Sequence, residues 1–145
     1  MSQQNSKIGV SFILSGEEIV LDEISDQLSL MPTHTRSLED WPEVIKIHNA
    51  ELPNRIKPHY EWEIDIGYED SRLVRERFKS ILELLKGKEA IINKLIDKYS
   101  LSASFVIGIH AQHDDCNMPE VFLTQEIINL VASLRADISF NMWLD

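Results

Sequence analysis

His110, His113, Asp114, Asp115 and Cys116 form the densest group of chemically capable side chains in the chain. Zinc accepts imidazole, thiolate and carboxylate ligands in a tetrahedron, and such residues at a strand end and its turn could converge on one ion. Cys116 with His113 or His110 also supplies a nucleophile and a base, with Asp114 to orient the imidazole. Two features argue against both chemistries. The spacing His-x-x-His-Asp-Asp-Cys has no second ligand pair elsewhere of the kind structural zinc sites use, and neighbours in one turn cannot all aim at one point. Nothing nearby supplies a recognisable oxyanion hole. We therefore expect no enzyme activity, no cofactor and no bound metal. A small metal-dependent or thiol enzyme centred on His110, His113, Asp114 and Cys116 is kept as the alternative.

Other catalytic signatures are missing from the sequence. There is no P-loop, no dinucleotide glycine fingerprint and no HExxH. There is also no G-x-S-x-G. Thr33, His34, Thr35 and Arg36 follow the end of an expected helix, where the dipole repels anions, so loop polarity explains them better than a phosphate site does.

The stronger candidate is a surface. Tyr60, Trp62, Ile64, Ile66 and Tyr68 alternate with Glu61, Glu63, Asp65 and Gly67, and Ile138, Phe140, Met142 and Leu144 alternate with Ser139, Asn141 and Trp143. A period of two means a strand with one buried and one wet face. The wet positions are Ser11, Ile13, Glu61, Glu63, Asp65, Val106, His110, Asn141 and Trp143. Carboxylates beside an aromatic and an aliphatic make a plausible interface. We take Glu61, Glu63, Asp65, Trp143 and Ile13 as its binding residues.

The totals suit that reading. With 24 acidic against 14 basic residues the net charge is −10, which argues against nucleic acid and against an anionic membrane as partners. Another protein, a basic one, suits this charge. A homodimer hiding the open face is a further option. Cys116 is the only cysteine, so no internal disulfide forms. No signal peptide or long apolar run is visible, and the expected location is cytoplasmic.

The 145 residues suggest a single domain over 1–145, with a polar, disordered tail over 1–6 and a long irregular loop segment over 31–59 containing prolines 32, 42, 53 and 58. Val44–Ile47 is the one apolar run there and reads as a short edge strand. The expected elements are a strand over 8–14, a helix over 21–30, a strand over 60–68, a helix pair broken at Gly87, a strand over 103–111, a short return strand over 119–123, a helix capped by Thr124, and a strand over 137–144. Asp70 or Ser71 is expected to cap the first helix of the pair. Each end supplies a strand–helix–strand unit, which favours parallel neighbours. The fold class is α+β: a mixed four- to five-stranded sheet with helices packed on one face, a ferredoxin-like variant.

The segments VSFILSGEEIVLDEISDQLSL, Met31-Pro32-Thr33 with His34-Thr35-Arg36, Tyr60-Glu61-Trp62-Glu63-Ile64, and PEVFLTQEIINLVASLRADISFNMWLD together resemble the bacterial domain-of-unknown-function family DUF4279 over nearly the whole chain. The resemblance implies no enzyme activity and no functional residues. Small acidic domains of this kind are similar in type to bacterial immunity proteins, which bind and neutralise a toxin.

Overall fold

The computed structural model describes residues 5–47, 58–112 and 118–144. The elements are β1 (Lys7–Gly16), α1 (Leu21–Leu28), β2 (His34–Arg36), α2 (Glu43–Ile47), β3 (Tyr60–Asp70), α3 (Val74–Leu85), α4 (Glu89–Tyr99), β4 (Ser102–Ala111), α5 (Gln125–Ser133) and β5 (Ala136–Leu144). The strands form one five-stranded mixed sheet in the order β2-β3-β1-β4-β5. The fold is α+β, as the alternation of period-two and helical segments requires.

Alternation decides which side of each strand is dry. Ile8, Val10, Phe12 and Leu14 of β1 face the same side as Ala103, Phe105, Ile107 and Ile109 of β4, and all are buried. Onto this inner face α3 packs against β1, α1 against β3 and α5 against β5, while α4 lies against α1. Phe12, Phe105 and Phe78 stack in the centre, with ring centroids 4.9 Å apart in each neighbouring pair. Trp62 is fully buried and donates its indole N–H to Ser25 Oγ at 3.0 Å, so its polar atom costs nothing in the core. No helix among the described residues is long and apolar enough to cross a membrane.

The two strand–helix–strand units behave differently. The second meets expectation: β4 and β5 pair in parallel, from Ala103 opposite Ala136 to Ala111 opposite Leu144. The first does not. β1 and β3 are neighbours but antiparallel, with Gly16 opposite Tyr60 and Lys7 opposite Asp70. β3 begins beside the end of β1 and runs back along it, and β2, which lies between α1 and β3 in the chain, pairs antiparallel to β3. His34–Arg36 is thus an edge strand and not a loop.

Local expectations in the same region need further correction. Residues 43–47 are the helix α2, not a strand, with Glu43 and Lys46 paired one turn apart at 3.3 Å. The irregular segment over 31–59 therefore holds β2, a 3-10 turn at Leu38–Asp40 and α2, and its residues 48–57 lie outside those described. Residues 119–123 form no return strand; a single bridge joins Glu120 to Leu73. Neither Asp70 nor Ser71 is the N-cap of α3: that position is Leu73, and Ser71 Oγ accepts from the Leu73 N–H at 3.2 Å. Ser6, expected in the disordered tail, is instead buried: its carbonyl accepts from Ser71 N–H at 3.1 Å and its hydroxyl accepts from Gln112 N–H at 3.2 Å, while residues 1–4 of that tail lie outside those described.

Other signals held. The helix pair breaks between Leu85 and Glu89, around Gly87. Thr124 caps α5, accepting from Ile127 N–H at 3.3 Å. The turn into β5 needs a left-handed residue, and Arg135 adopts φ +52° there. Its guanidinium donates to the Asn93 carbonyl at 3.1 Å and reaches Asp97 at 2.9 Å, tying the turn to α4.

One irregularity in β3 reorganises a whole face. Between Tyr68 opposite Gly9 and Asp65 opposite Ser11, two residues of β3 face one of β1. This is a β-bulge, and Gly67 supports it with φ +76°, a conformation that side chains disfavour. The extra residue shifts the period by one. Tyr68, expected to share the inner face with Trp62 and Ile64, is turned to the outer face. The carbonyls of Ile66 and Gly67, displaced from regular pairing, accept from Arg77 Nη2 at 3.3 and 2.8 Å. The buried Arg77 also donates to the Ile8 carbonyl at 3.1 Å and to Glu69 at 3.0 Å, clamping α3 onto the bulge.

Candidate functional site on the outer sheet face

The register places the wet positions on one face, away from α1, α3 and α5. Ile13 lies opposite Glu63, Ser15 opposite Glu61, and Ser11 opposite Asp65. On the other side of β3, His34 lies opposite Glu63 and Arg36 opposite Glu61. Three of the expected binding acids and Ile13 are therefore brought together, and β2 adds two basic side chains that sequence reasoning assigned to a loop.

The basic groups are themselves engaged. Arg36 lies over the Trp41 ring at 4.4 Å, and Trp41 meets the His59 ring at a tilt of 55°, with 4.8 Å between ring centroids. The Trp41 indole N–H donates to the His59 carbonyl at 2.8 Å. His59 Nε2 meets Glu61 at 2.7 Å. Asp40 accepts from Ser37 N–H at 2.8 Å, and that backbone contact holds its carboxyl below the usual carboxylate range, with Arg36 and Lys46 adding to the effect. Together His34, Thr35, Arg36, Asp40, Glu61 and Glu63 line a cleft of about 240 Å³.

Glu63 is the outlier in this cleft. Burial pushes its carboxyl above the ordinary value and the neighbouring charge of Asp65 pushes the same way, against weaker help from His34 and a Ser11 hydrogen bond. His34 faces Glu63 across the strand pair, whereas His59 is engaged with Glu61 and Arg36 lies over Trp41.

Trp143, the fifth expected binding residue, is on the same face but in a different corner. It lies opposite His110 in β4, which lies opposite Lys7 in β1, whereas Ile13 and Glu63 stand six residues along. At roughly 3.3 Å per residue this is about 20 Å along the strands, with β4 between Trp143 and Ile13 and both β4 and β1 between Trp143 and Glu63. Trp143 instead ends an aromatic row. Its ring stacks on His110 at 4.6 Å and 16°, and Tyr68 meets the other side of His110 edge-on at 4.9 Å and 82°. Gly9 and Gly108 form the floor beneath Tyr68.

His110 is thus part of the aromatic row. Its proposed co-ligands His113, Asp114 and Cys116, with Asp115, lie outside the described residues. Among the described residues no group of three or more His, Cys, Asp or Glu could hold a metal ion. What sequence reasoning missed was His34, Arg36, Asp40, Trp41 and His59 as site residues. The single available signal was the alternation His34-Thr35-Arg36, too short to read as a strand.

A family model described as domain of unknown function (DUF4279) matches residues 6–145. No curated protein and no solved structure matches the chain.

Proposed function

The chain belongs to the DUF4279 family of domains of unknown function, and from that premise we propose that it is a non-enzymatic binding domain whose outer sheet face receives a cationic side chain of a basic partner protein. The observation that carries this reading is Glu63: a half-buried carboxyl on the wall of an open cleft, pushed above its ordinary titration range beside Asp65. A lysine or arginine entering the cleft would supply a positive charge, with Ile13 packing against its aliphatic stem. The net charge of −10 steers such a partner toward the domain. Binding then acts by occlusion, the mode by which an immunity protein neutralises a toxin.

The test is titration with a lysine- or arginine-containing basic peptide, followed by heteronuclear NMR. Shifts centred on Glu61, Glu63 and Ile13, lost in the Glu61→Lys, Glu63→Lys double variant with its fold intact, support the reading. Unchanged affinity in the double variant overturns it.

A further inference from the structure

The two edges of the sheet are treated differently. The β2 edge is three residues long, exposed and polar, with His34 and Arg36 on it. Short, charged edges resist pairing with another chain. The β5 edge is nine residues, Ala-Asp-Ile-Ser-Phe-Asn-Met-Trp-Leu, with no proline, no lysine, no bulge and a single charge at Asp137. β5 bonds β4 on one side, and among the described strands none lies on its other side. Its inner-face side chains run beyond the helical cover: Phe140 is 43% exposed, Met142 59% and Leu144 70%. Ile128, on the flank of α5 opposite Glu126, Leu130 and Ser133 that face α3, is also exposed and extends this apolar surface over the edge.

We propose that β5 pairs antiparallel with β5 of a second copy of this chain, about a two-fold axis at Phe140, joining two five-stranded sheets into one. The strand is complementary to itself in that register. On the inner face Phe140 meets Phe140, Ile138 meets Met142 and Ala136 meets Leu144, so every inner-face pair is apolar. On the outer face Asp137 lies opposite Trp143, and the two copies of Asp137 stand at opposite ends of the joint. No like charges meet across the strands, the arrangement that most opposes strand pairing. The axis keeps both helical layers on one side, where the two copies of Ile128 close over the seam. A C2 joint of this kind uses the same patch twice and leaves no unpaired β5 edge. It is independent of the acidic cleft, which lies on the opposite half of the sheet. Because both copies are strongly acidic, salt strengthens the association by screening their mutual repulsion.

Sedimentation velocity of the full chain over a dilution series tests this, with Phe140→Lys, Phe140→Glu and their equimolar mixture alongside. The expected result is a wild-type dimer, two folded monomeric variants by circular dichroism, and a dimer restored in the mixture, because in this register residue 140 faces its own copy. A wild type that stays monomeric at high salt overturns the proposal. So does a dimer that survives both single variants, which puts the interface elsewhere, and so does a mixture that fails to re-form. Should either Phe140 variant lose its fold, Met142→Lys replaces it: the dimer is then expected to dissociate, and its persistence overturns the pairing.

Discussion

Tyr68 occupies the space that a side chain at Gly108 would need. A Cβ built on Gly108 would lie 2.0 Å from the Tyr68 hydroxyl oxygen, and one on the facing Gly9 would lie 3.2 Å from its ring. The ring crosses β1 to reach β4, where it meets His110. Burial and the charge of Asp65 both push its phenol above the usual range. The bulge at Gly67 makes this possible by turning Tyr68 outward.

Gly108→Ala is therefore expected to displace the Tyr68 ring and to destabilise the domain by about 1–3 kcal/mol, the usual cost of overpacking. In a Tyr68→Ala background the same substitution costs far less. A double-mutant cycle by urea unfolding reads this non-additivity directly. Additive effects would mean that the ring does not rest on Gly108.

Arg77 is the second support of the bulge. Arg77→Leu strands the carbonyls of Ile8, Ile66 and Gly67, and a buried unsatisfied acceptor costs about 1–3 kcal/mol. We expect a loss of about 3 kcal/mol or more. The exposed Glu69 end of the contact adds little, so Glu69→Gln is expected to be nearly neutral. Arg77→Lys rescues only part of the loss, since one ammonium cannot span the fork of carbonyls. Thermal melts of the three variants provide the comparison.

Glu63 makes stability depend on pH in an identifiable direction. Its folded-state pKa is raised, so its stabilising protonation is fully present below the ordinary carboxylate pKa and is lost as pH rises through the folded value. Glu63→Gln is expected to melt higher than wild type at neutral pH, with the difference closing as pH falls below the ordinary glutamate range. Melting curves along a pH series check this. Equal melting at neutral pH would remove the case for a strained carboxylate. The same linkage predicts that a cationic peptide binds more tightly as pH rises through the titration of Glu63.

Ser29 and Ser100 end α1 and α4 in the left-handed conformation, at φ +54° and +53°. Glycine is the residue that adopts this state without strain. Ser100→Gly is expected to stabilise by a few tenths of a kcal/mol up to about 1, after allowance for the greater freedom glycine gives the unfolded chain. Chemical denaturation measures the shift, and a destabilised variant would show that the serine makes a contact that offsets its strain.

Much of this was legible because it depends on local pattern. Ile8 to Leu14 and Ala103 to Ala111 alternate, and both are strands with the expected dry face. Thr124 precedes an apolar helical stripe and caps it. Glu61, Glu63 and Asp65 share a face with Ile13, which alternation in two strands was enough to predict. Val44–Ile47 was misread because four residues cannot separate a strand from a helical turn when neither has a full period.

Alternation in the sequence alone determined that this is an α+β domain with one wet sheet face carrying acids, because side-chain direction along a strand follows from backbone geometry. Only the tertiary structure decided which strands are neighbours. Pairing is set by long-range contacts that no local period encodes, and it brought His34 and Arg36 against Glu63 and Glu61 and ran β3 antiparallel to β1. It also decided the fate of Tyr68. One extra residue at Gly67 inverts every later position in the strand, so the residue that reads as core in the sequence lies on the outer face against His110, and Trp143 stands away from the acids with which it was grouped.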